Sequence, residues 1–331
     1  MDRPEFAAAI KEKYVANGSG DMGQRFEVYD ALFHTGSKLL EYFGSHEHIC
    51  ISVSGGSDSD CIVHLVCTYF PEFLDKIYFV FINTGLEYDA TKRHLTDIEK
   101  RYGIEIKKIR GKSVVWAIRE FGFPILSKEK SECIGGYCRN RPGYIRKVKQ
   151  TGRYGFSDNQ RKLAEYIKEN GIKVSEKCCD YSKKKPILKF QKEHGIDLNV
   201  TGERKAEGGQ RASAHKSCFE QSNKRMHADK YMPLWWWSNS VKAIFKKIEG
   251  IRFSDCYEVY GMTRTGCCGC PFAFDIAEEL QAMYEYEPRL FKACMNVFGQ
   301  AYELTDRFKC RRKKCLPDSF QLSFGFKEGG D

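Results

Sequence analysis

The sequence predicts an α/β protein built on a doubly wound parallel sheet. Three observations predict it. The run Ile49-Cys50-Ile51-Ser52-Val53 is apolar and rich in β-branched residues. It leads through a Gly-Gly turn into Ile62, Val63, Leu65, Val66 and Tyr69, which recur at helical spacing. A second continuous apolar run, Ile77 to Ile82, has the length of a parallel strand covered on both faces. Strand and helix patterns then alternate, the order that gives a parallel sheet with helices on its faces.

In chain order, residues 1–45 read as a helical cap, with Phe26, Tyr29, Leu32, Phe33, Leu39, Leu40 and Phe43 at helix-like spacing before a Gly44-Ser45 break. Residues 46–275 are the expected α/β domain. Within it, 89–103 reads as a charged amphipathic helix, Ile104–Ile109 as a third strand, and Ser113–Phe121 as a short helix stopped by Gly122 and Pro124. Leu198-Asn199-Val200-Thr201-Gly202 reads as a strand returning to the sheet. Two segments break the rhythm. Residues 125–195 are lysine-rich and hold Cys133, Cys138, Cys178 and Cys179, and residues 252–275 are irregular and cysteine-rich. Residues 276–331 read as a helical C-terminal extension with a basic tail.

The chain has 331 residues, 42% hydrophobic and 30% charged, a globular composition. No run approaches the roughly 18 apolar residues of a membrane span, so no membrane association is expected. The first residues, Met1 to Glu5, lack the apolar region of a signal peptide, and a cytoplasmic protein is expected. Fifteen cysteines in a reducing compartment point to metal binding or redox chemistry rather than a disulfide scaffold. The formal charge of +10 is either scattered solubility charge or the mark of a polyanionic partner.

Ser54-Gly55-Gly56-Ser57-Asp58-Ser59 sits where the first strand meets its helix. A helix starting after a Gly-Gly turn points free N–H groups and the positive end of its dipole at one spot, which favours a phosphate. No Gly-Lys-Ser/Thr follows, so this is not a Walker A loop. The expected phosphate and nucleotide ligands are Ser52, Ser54, Gly55, Gly56, Ser57, Asp58 and Ser59. Asn83, Thr84, Gly85 and Gly202 join them because they too follow strands, where doubly wound sheets bind ligands. Cys178-Cys179 and the later Cys267-Cys268-Gly269-Cys270 form two close pairs able to hold an iron–sulfur cluster or a zinc ion. Lys177, Lys183, Lys184 and Lys185 would offset thiolate charge.

The pattern Ser-Gly-Gly-x-Asp-Ser at 54–59 resembles the pyrophosphate loop of the PP-loop ATP pyrophosphatases, whose fold is that of the adenine nucleotide alpha-hydrolases. Cys178-Cys179, Lys183 and Pro186, paired with Gly266-Cys267-x-x-Cys270, are similar to the [4Fe-4S] signature of the adenylylsulfate reductases, within the phosphoadenosine phosphosulfate (PAPS) reductase family. Asn83-Thr84-Gly85, Gly202-Glu203-Arg204-Lys205-Ala206-Glu207 continuing to Arg211, and Pro233-Leu234 with Trp237 resemble further family segments, in the family's order over about residues 48–272. The resemblance implies a [4Fe-4S] cluster on Cys178, Cys179, Cys267 and Cys270, and an adenosine nucleotide as substrate. That substrate is ATP with Mg2+, or else adenylylsulfate or PAPS.

Two departures weigh on the activity. The C-terminal Glu-Cys-Gly-Leu-His motif of the assimilatory reductases is missing, and the pyrophosphate loop, usually degraded in them, is complete. In this the chain resembles DNA-phosphorothioation sulfur-transfer proteins and Fe–S tRNA thiolases. The resemblance therefore implies that a target oxygen attacks the α-phosphate of ATP, pyrophosphate leaves, and sulfur later displaces AMP. Asp58 is the expected Mg2+ partner, and Arg204, Lys205 and Arg211 the expected cations on the substrate side. DNA or tRNA as acceptor and a cysteine desulfurase or other sulfur donor are the implied partners. The alternatives are a reductase forming sulfite and a non-catalytic nucleotide-binding Fe–S regulator.

Other residues have plainer readings. Cys268 is expected to be a spectator. Cys133 and Cys138 are a redox pair or unpaired thiols. Cys310 and Cys315, flanking Arg311 to Lys314, are expected in a solvated basic tail whose cations lower thiol pKa. At least two of Trp235, Trp236 and Trp237 are expected to pack as core, and Glu87 and Glu207 to hold turns.

Overall fold

The apolar run Ile49–Ser52 becomes strand β1, with its first three residues buried. In the computed structural model of the chain, residues 1–18, 21–150, 155–208, 215–223 and 226–316 are described. β1 is an inner strand of a six-stranded sheet in the order β3-β2-β1-β4-β6-β5. Here β2 is Ile77–Asn83, β3 Ile106–Arg110, β4 Leu198–Val200, β5 Phe219–Glu220 and β6 Asp229–Tyr231. β1 runs parallel to β2, with Ile49 opposite Ile77, and parallel to β4, with Ile49 opposite Leu198. β4 is parallel to β6. The sheet is not wholly parallel, because β5 runs antiparallel to β6 at the edge. Those two short strands exist through pairing and carry no periodicity of their own, so the sequence pattern does not show them.

Helices among the described residues are α1 (Arg3–Ile10), α2 (Met22–Ser45), α3 (Ser57–Tyr69), α4 (Asp89–Tyr102), α5 (Val114–Phe121), α6 (Lys128–Cys138), α7 (Pro142–Lys149), α8 (Asp158–Glu169), α9 (Lys185–Glu193), α10 (Asn239–Glu249), α11 (Asp255–Glu258), α12 (Ile276–Tyr286) and α13 (Pro288–Arg307). Their starts follow capping chemistry. Asp2 with Glu5, and Ser157 with Gln160, form capping boxes, and Ser113, Ser127 and Ser238 accept from the first turns of α5, α6 and α10.

The chain divides into two units. The first comprises Met1–Ile82, Ala90–Ile109 and Ile187–Val259, and so contains all of the expected cap at 1–45. Its core joins Phe6, Ile10, Leu32, Leu39 and Phe43 of the N-terminal helices to Ile49 and Ile51 of β1, Ile62 and Leu65 of α3, and Phe245 of α10. The second unit comprises Asn83–Asp89, Arg110–Pro186 and the chain from Tyr260 onward. Its core packs Phe123, Ile125, Ile134, Leu163 and Ile167 with Ala301 and Leu304 of α13.

One carboxylate ties the N-terminal segment to the rest of the first unit. The side chain of Glu249, at the end of α10, is 2% exposed and receives Lys13 Nζ at 2.7 Å, Tyr69 Oη at 2.7 Å and the Tyr14 hydroxyl, with His64 Nε2 at 2.9 Å. Burial by itself would raise its pKa. The donors from His64, Lys13, Tyr14 and Tyr69 outweigh burial and hold it at about 2, against an ordinary 4.5. A depressed carboxylate stabilises the fold above its unfolded pKa, and that stability is lost as pH falls from about 4.5 toward 2. The gap corresponds to about 3 kcal/mol. Glu249→Gln should therefore lower the urea-unfolding midpoint at pH 7 and flatten the loss of stability between pH 4.5 and pH 2. An unchanged acid limb would show that another group carries it.

Candidate functional site

β1 ends in the turn Val53–Gly56 and α3 starts at Ser57. Gly55 adopts φ +67°, the left-handed region that glycine enters without strain. Gly56 stands at the N-cap and has no side chain to cap the helix, so the first-turn N–H groups face the turn. Serines brace the turn internally. Ser54 Oγ accepts from Gly56 N at 3.2 Å, Ser54 N and Oγ each lie 3.3 Å from Ser59 Oγ, and Ser59 Oγ donates to the Gly56 carbonyl at 2.7 Å. Of the three hydroxyls, Ser59 is thus a structural brace, while Ser57 accepts from Lys242 Nζ at 2.6 Å. Ser52 is the last residue of β1, paired opposite Val80.

The sheet order reverses at β1, with β2 on one side and β4 on the other, which is the ligand-binding switch point of such sheets. Gly202, just after β4, lies against the start of α3. A Cβ there would meet Ser59 N at 3.0 Å and the Asp58 carbonyl carbon at 3.1 Å. Only a glycine lets the two backbones approach so closely.

Asp58 is not aimed at open space. Its Oδ1 accepts from Arg204 Nε at 2.8 Å and lies 2.7 Å from Lys242 Nζ. Arg204 is buried and also donates to the Trp237 carbonyl and to Asn239 Oδ1. Asp58 and Arg204 thus act first as a brace between the loop, the segment after β4 and the start of α10. These contacts stand beside the magnesium and substrate-side roles expected of the two residues. Lys205 is exposed, with its ammonium 5.2 Å from the Trp236 ring centroid. Arg211 lies outside the described residues. Lys242 escaped the sequence reading because it is one of several lysines on an amphipathic helix. His94 and Asp60, a buried pair at 2.7 Å, escaped for want of any motif. Trp235 and Trp237 are buried and Trp236 is exposed, as the packing argument requires.

In the second unit, Asn83–Glu87 forms a turn closed by its own side chains. Glu87 accepts from Thr84 N and Oγ1 and from Gly85 N, which also donates to Asn83 Oδ1. Glu207 likewise accepts from Arg204 N, so both glutamates hold turns.

The four motif cysteines belong to this second unit. Cys178 and Cys179 share a hydrogen bond, which together with burial and the charge of neighbouring thiols drives Cys178 well above the ordinary thiol range. Cys179 moves below that range, because Cys178 donates to it and Lys183 and Lys128 face it against the cost of burial. Cys270 is pushed up to about 12 by burial and by Cys267. Lys183 is hydrogen-bonded to Cys267. Burial works against its charge, but Cys267, Cys179 and Cys270 outweigh it and raise its pKa. Among the described residues no three such side chains stand close enough for a single metal ion. On tetrahedral zinc, thiolate sulfurs would lie about 3.7 Å apart. A cluster spreads its ligands over several irons and needs a wider cradle. Four mutually interacting thiols with a lysine against them fit the donor set and charge of such a group.

The Cys267–Cys270 loop is gripped by the C-terminal helices. Glu279 of α12 accepts from Gly269 N at 3.0 Å and from Tyr88 Oη at 2.7 Å. Tyr302 of α13 donates to the Gly269 carbonyl, and Cys294 Sγ lies 3.3 Å from the Cys268 carbonyl. Arg311 donates to the carbonyls of Pro271, Ala273 and Leu126. This corrects the expected solvated tail. Cys310 and Cys315 are partly and fully buried, and burial pushes both thiols up to about 12 rather than down. Cys268 is buried, in keeping with a packing role. Cys133 and Cys138 lie five residues apart on α6, which turns their side chains to different faces.

An intact phosphate loop at the switch point of a largely parallel sheet defines an α/β protein of PP-loop type. The chain belongs to the phosphoadenosine phosphosulfate reductase domain family, whose model matches residues 48–154 and 143–273. An uncharacterized protein of Methanocaldococcus jannaschii is 27% identical over 265 residues, 77% of this chain, which spans only 42% of that relative's length. Among solved structures, PAPS reductase from Candida auris in a phosphate complex has 13% identity and a TM-score of 0.43, over 70% of this chain and 87% of its own. FMN adenylyltransferase from Candida glabrata with ATP has 14% identity and a TM-score of 0.49, over 80% and 70%. The U34-tRNA thiolase NcsA from Methanococcus maripaludis with its [4Fe-4S] cluster has 10% identity and a TM-score of 0.37, over 91% and 90%. Likenesses at this level assign no function. No helix among the described residues is long and apolar enough to cross a membrane.

Removing Asp58 strands the Arg204 cation, which is 5% exposed. Asp58→Ala should lose about 3 kcal/mol of stability, at the lower end for breaking a buried pair. Urea unfolding of the nucleotide-free protein checks this. A change below about 1 kcal/mol, the range of an exposed pair, would deny the brace.

Proposed function

We propose that this protein is a PP-loop ATP pyrophosphatase that adenylates a nucleic-acid target for sulfur insertion. The observation that carries the reading is the complete Ser54–Ser59 loop with the uncapped start of α3 behind it. Gly55 and Gly56 leave room for phosphate, and the first-turn N–H groups supply donors and positive potential to a pyrophosphate leaving group. Asp58, held by Arg204 and Lys242, fixes the loop. The target oxygen attacks the α-phosphorus, the Pα–O–Pβ bond breaks, and pyrophosphate leaves with the electron pair. A sulfide-level sulfur nucleophile from the donor then attacks the atom bearing the adenylate, and that atom's bond to oxygen breaks as AMP departs. Lys205, exposed beside Trp236, is a candidate contact to the target. Arg211 keeps its expected role on the substrate side.

Cys178, Cys179, Cys267 and Cys270 would hold a [4Fe-4S] cluster, which when bound supplies iron able to take sulfur or electrons. Lys183 offsets the charge of the thiolates, and Glu279, Tyr302 and Cys294 fix the loop that carries Cys267 and Cys270. The reductase alternative needs a reactive thiolate late in the chain. Cys294, Cys310 and Cys315 are each pushed up to about 12, chiefly by burial, which leaves them protonated at neutral pH.

The deciding assay gives anaerobically purified protein ATP and Mg2+ with bulk tRNA and DNA to supply the attacking oxygen, and separately adenylylsulfate with thioredoxin. Pyrophosphate is expected from the first, at near wild-type rate in a Cys310→Ser, Cys315→Ser variant. Sulfite from the second, lost in that variant, would establish the reductase instead. Gly55→Ala, which puts a Cβ 2.7 Å from Thr91 Cγ2 at positive φ, should weaken ATP binding at least tenfold by calorimetry. Cys179→Ser and Cys270→Ser should each bleach the broad visible absorption of the anaerobic protein and drop its iron below about four per chain, since a serine oxygen is a poor ligand for soft metal. A colourless wild type with one bound zinc would refute the cluster.

A further inference from the structure

Residues 125–195 hold 18 Lys and Arg against 8 Asp and Glu, a net +10 equal to that of the whole chain. The excess is sharpest between Arg139 and Gln150. There Arg139, Arg141, Arg146, Lys147 and Lys149 stand in twelve residues with no carboxylate. All five are exposed, and among the described residues none forms an ion pair. The packing fixes where they point. Gly136 of α6 lies against Tyr144 of α7, where a Cβ would sit 2.3 Å from the ring, and Val148 is buried, so one side of α7 faces α6. Tyr144 Oη donates to Glu132 Oε1 at 2.7 Å, which engages a nearby acidic group of α6. Arg146, Lys147 and Lys149 in the last turn gain something from the helix dipole, a few tenths of a kcal/mol each. That gain does not account for Arg139 and Arg141, which precede the helix. Some lysines elsewhere are matched locally, as in Lys38–Glu41, Lys107–Glu105 and Lys189–Glu193, but no other run so dense and without a carboxylate is free of ion pairs among the described residues.

We propose that the α6–α7 turn and the exposed side of α7 form a docking surface for the phosphodiester backbone of a nucleic acid. The inference rests on the reading that the sulfur acceptor is a nucleic acid, and it names the surface that receives it. Seven-to-eight residues of helix span about 12 Å. A duplex carries one phosphate charge per about 1.7 Å of axis, so a surface of this size meets several phosphates at once. Five cations without base-reading partners give affinity and orientation rather than sequence choice.

The test measures binding of the anaerobically purified full chain to a 20-base-pair RNA duplex and a DNA duplex of the same length, by fluorescence anisotropy across a salt series. Wild type is compared with R141Q/R146Q/K149Q and with a control that removes equal charge elsewhere, K38Q/K107Q/K189Q. Each lost phosphate contact lowers the slope of log K against log salt by about 0.7 to 0.9. The first variant should lose about 2 to 3 in slope and at least tenfold in affinity at low salt, with its melting temperature unchanged, while the control keeps the wild-type slope. Either duplex showing this pattern supports the surface, and the tighter one identifies the acceptor class. Equal slopes in the two variants, or no binding of either duplex by wild type, would overturn it. Pyrophosphate release from ATP and Mg2+ in the presence of bulk tRNA and DNA is measured in parallel. Its absence in wild type would sink the proposed chemistry without touching a slope change at α7.

Discussion

The carboxylate of Asp58 is the point on which the phosphate loop depends. It sits in the first turn of α3 and holds two cations from distant parts of the chain, Arg204 after β4 and Lys242 on α10. An uncapped helix start after two glycines is conformationally loose. A buried, charge-assisted brace removes that looseness. It also sets the local electrostatics, since the positive charge beside the loop is already half spent on Asp58. The close approach of Gly202 to Ser59 N completes the same joint from the backbone side. The loop is therefore rigid for tertiary reasons; its Gly56 N–H and Ser59 hydroxyl are spent on bonds inside it, and what stays open is the uncapped first turn of α3.

The cysteine loop is organised by a comparable rule in a separate unit. Two of its four motif thiols lie on a loop that makes no regular structure, so its backbone polar groups need partners from elsewhere. Glu279, Cys294, Tyr302 and Arg311 provide them. All four lie beyond residue 273, where the family match ends. The C-terminal helices are thus an addition that supports the cysteine motif. Their polar contacts to Gly269 are more specific than a solvated extension would need. The same burial that lets them grip the loop also protonates Cys294, Cys310 and Cys315.

Charge is partitioned as unevenly as the cores. The lysine-rich interruption between α5 and β4 carries the whole net charge of the protein, while the remaining residues balance. Even there, some cations have local duties. Lys128 and Lys184 pair with Asp180, and Lys183 faces the thiolates. The cations from Arg139 to Lys149 form no ion pair among the described residues, though Lys147 lies 5.5 Å from the Tyr144 ring centroid; the lack of pairs and the density, five in twelve residues with no carboxylate, together set them apart.

The sequence by itself determined the α/β class and the strand–turn–helix around Gly55 and Gly56, and it showed the two close cysteine pairs at 178–179 and 267–270. Each of these is local: continuous apolar strands, helical spacing and short motifs are properties of neighbouring residues. It also indicated correctly that Glu87 and Glu207 close turns and that two of the three tryptophans pack inside. Tertiary structure alone decided the rest. The edge pair β5–β6 has no periodicity to read. Asp58 becomes a brace because residues 146 and 184 positions away come to face it, and no spacing rule reports contacts of that range. Cys310 and Cys315 sit in a basic stretch that suggests lowered pKa values, yet desolvation, which depends only on what the fold packs around a thiol, pushes them the other way.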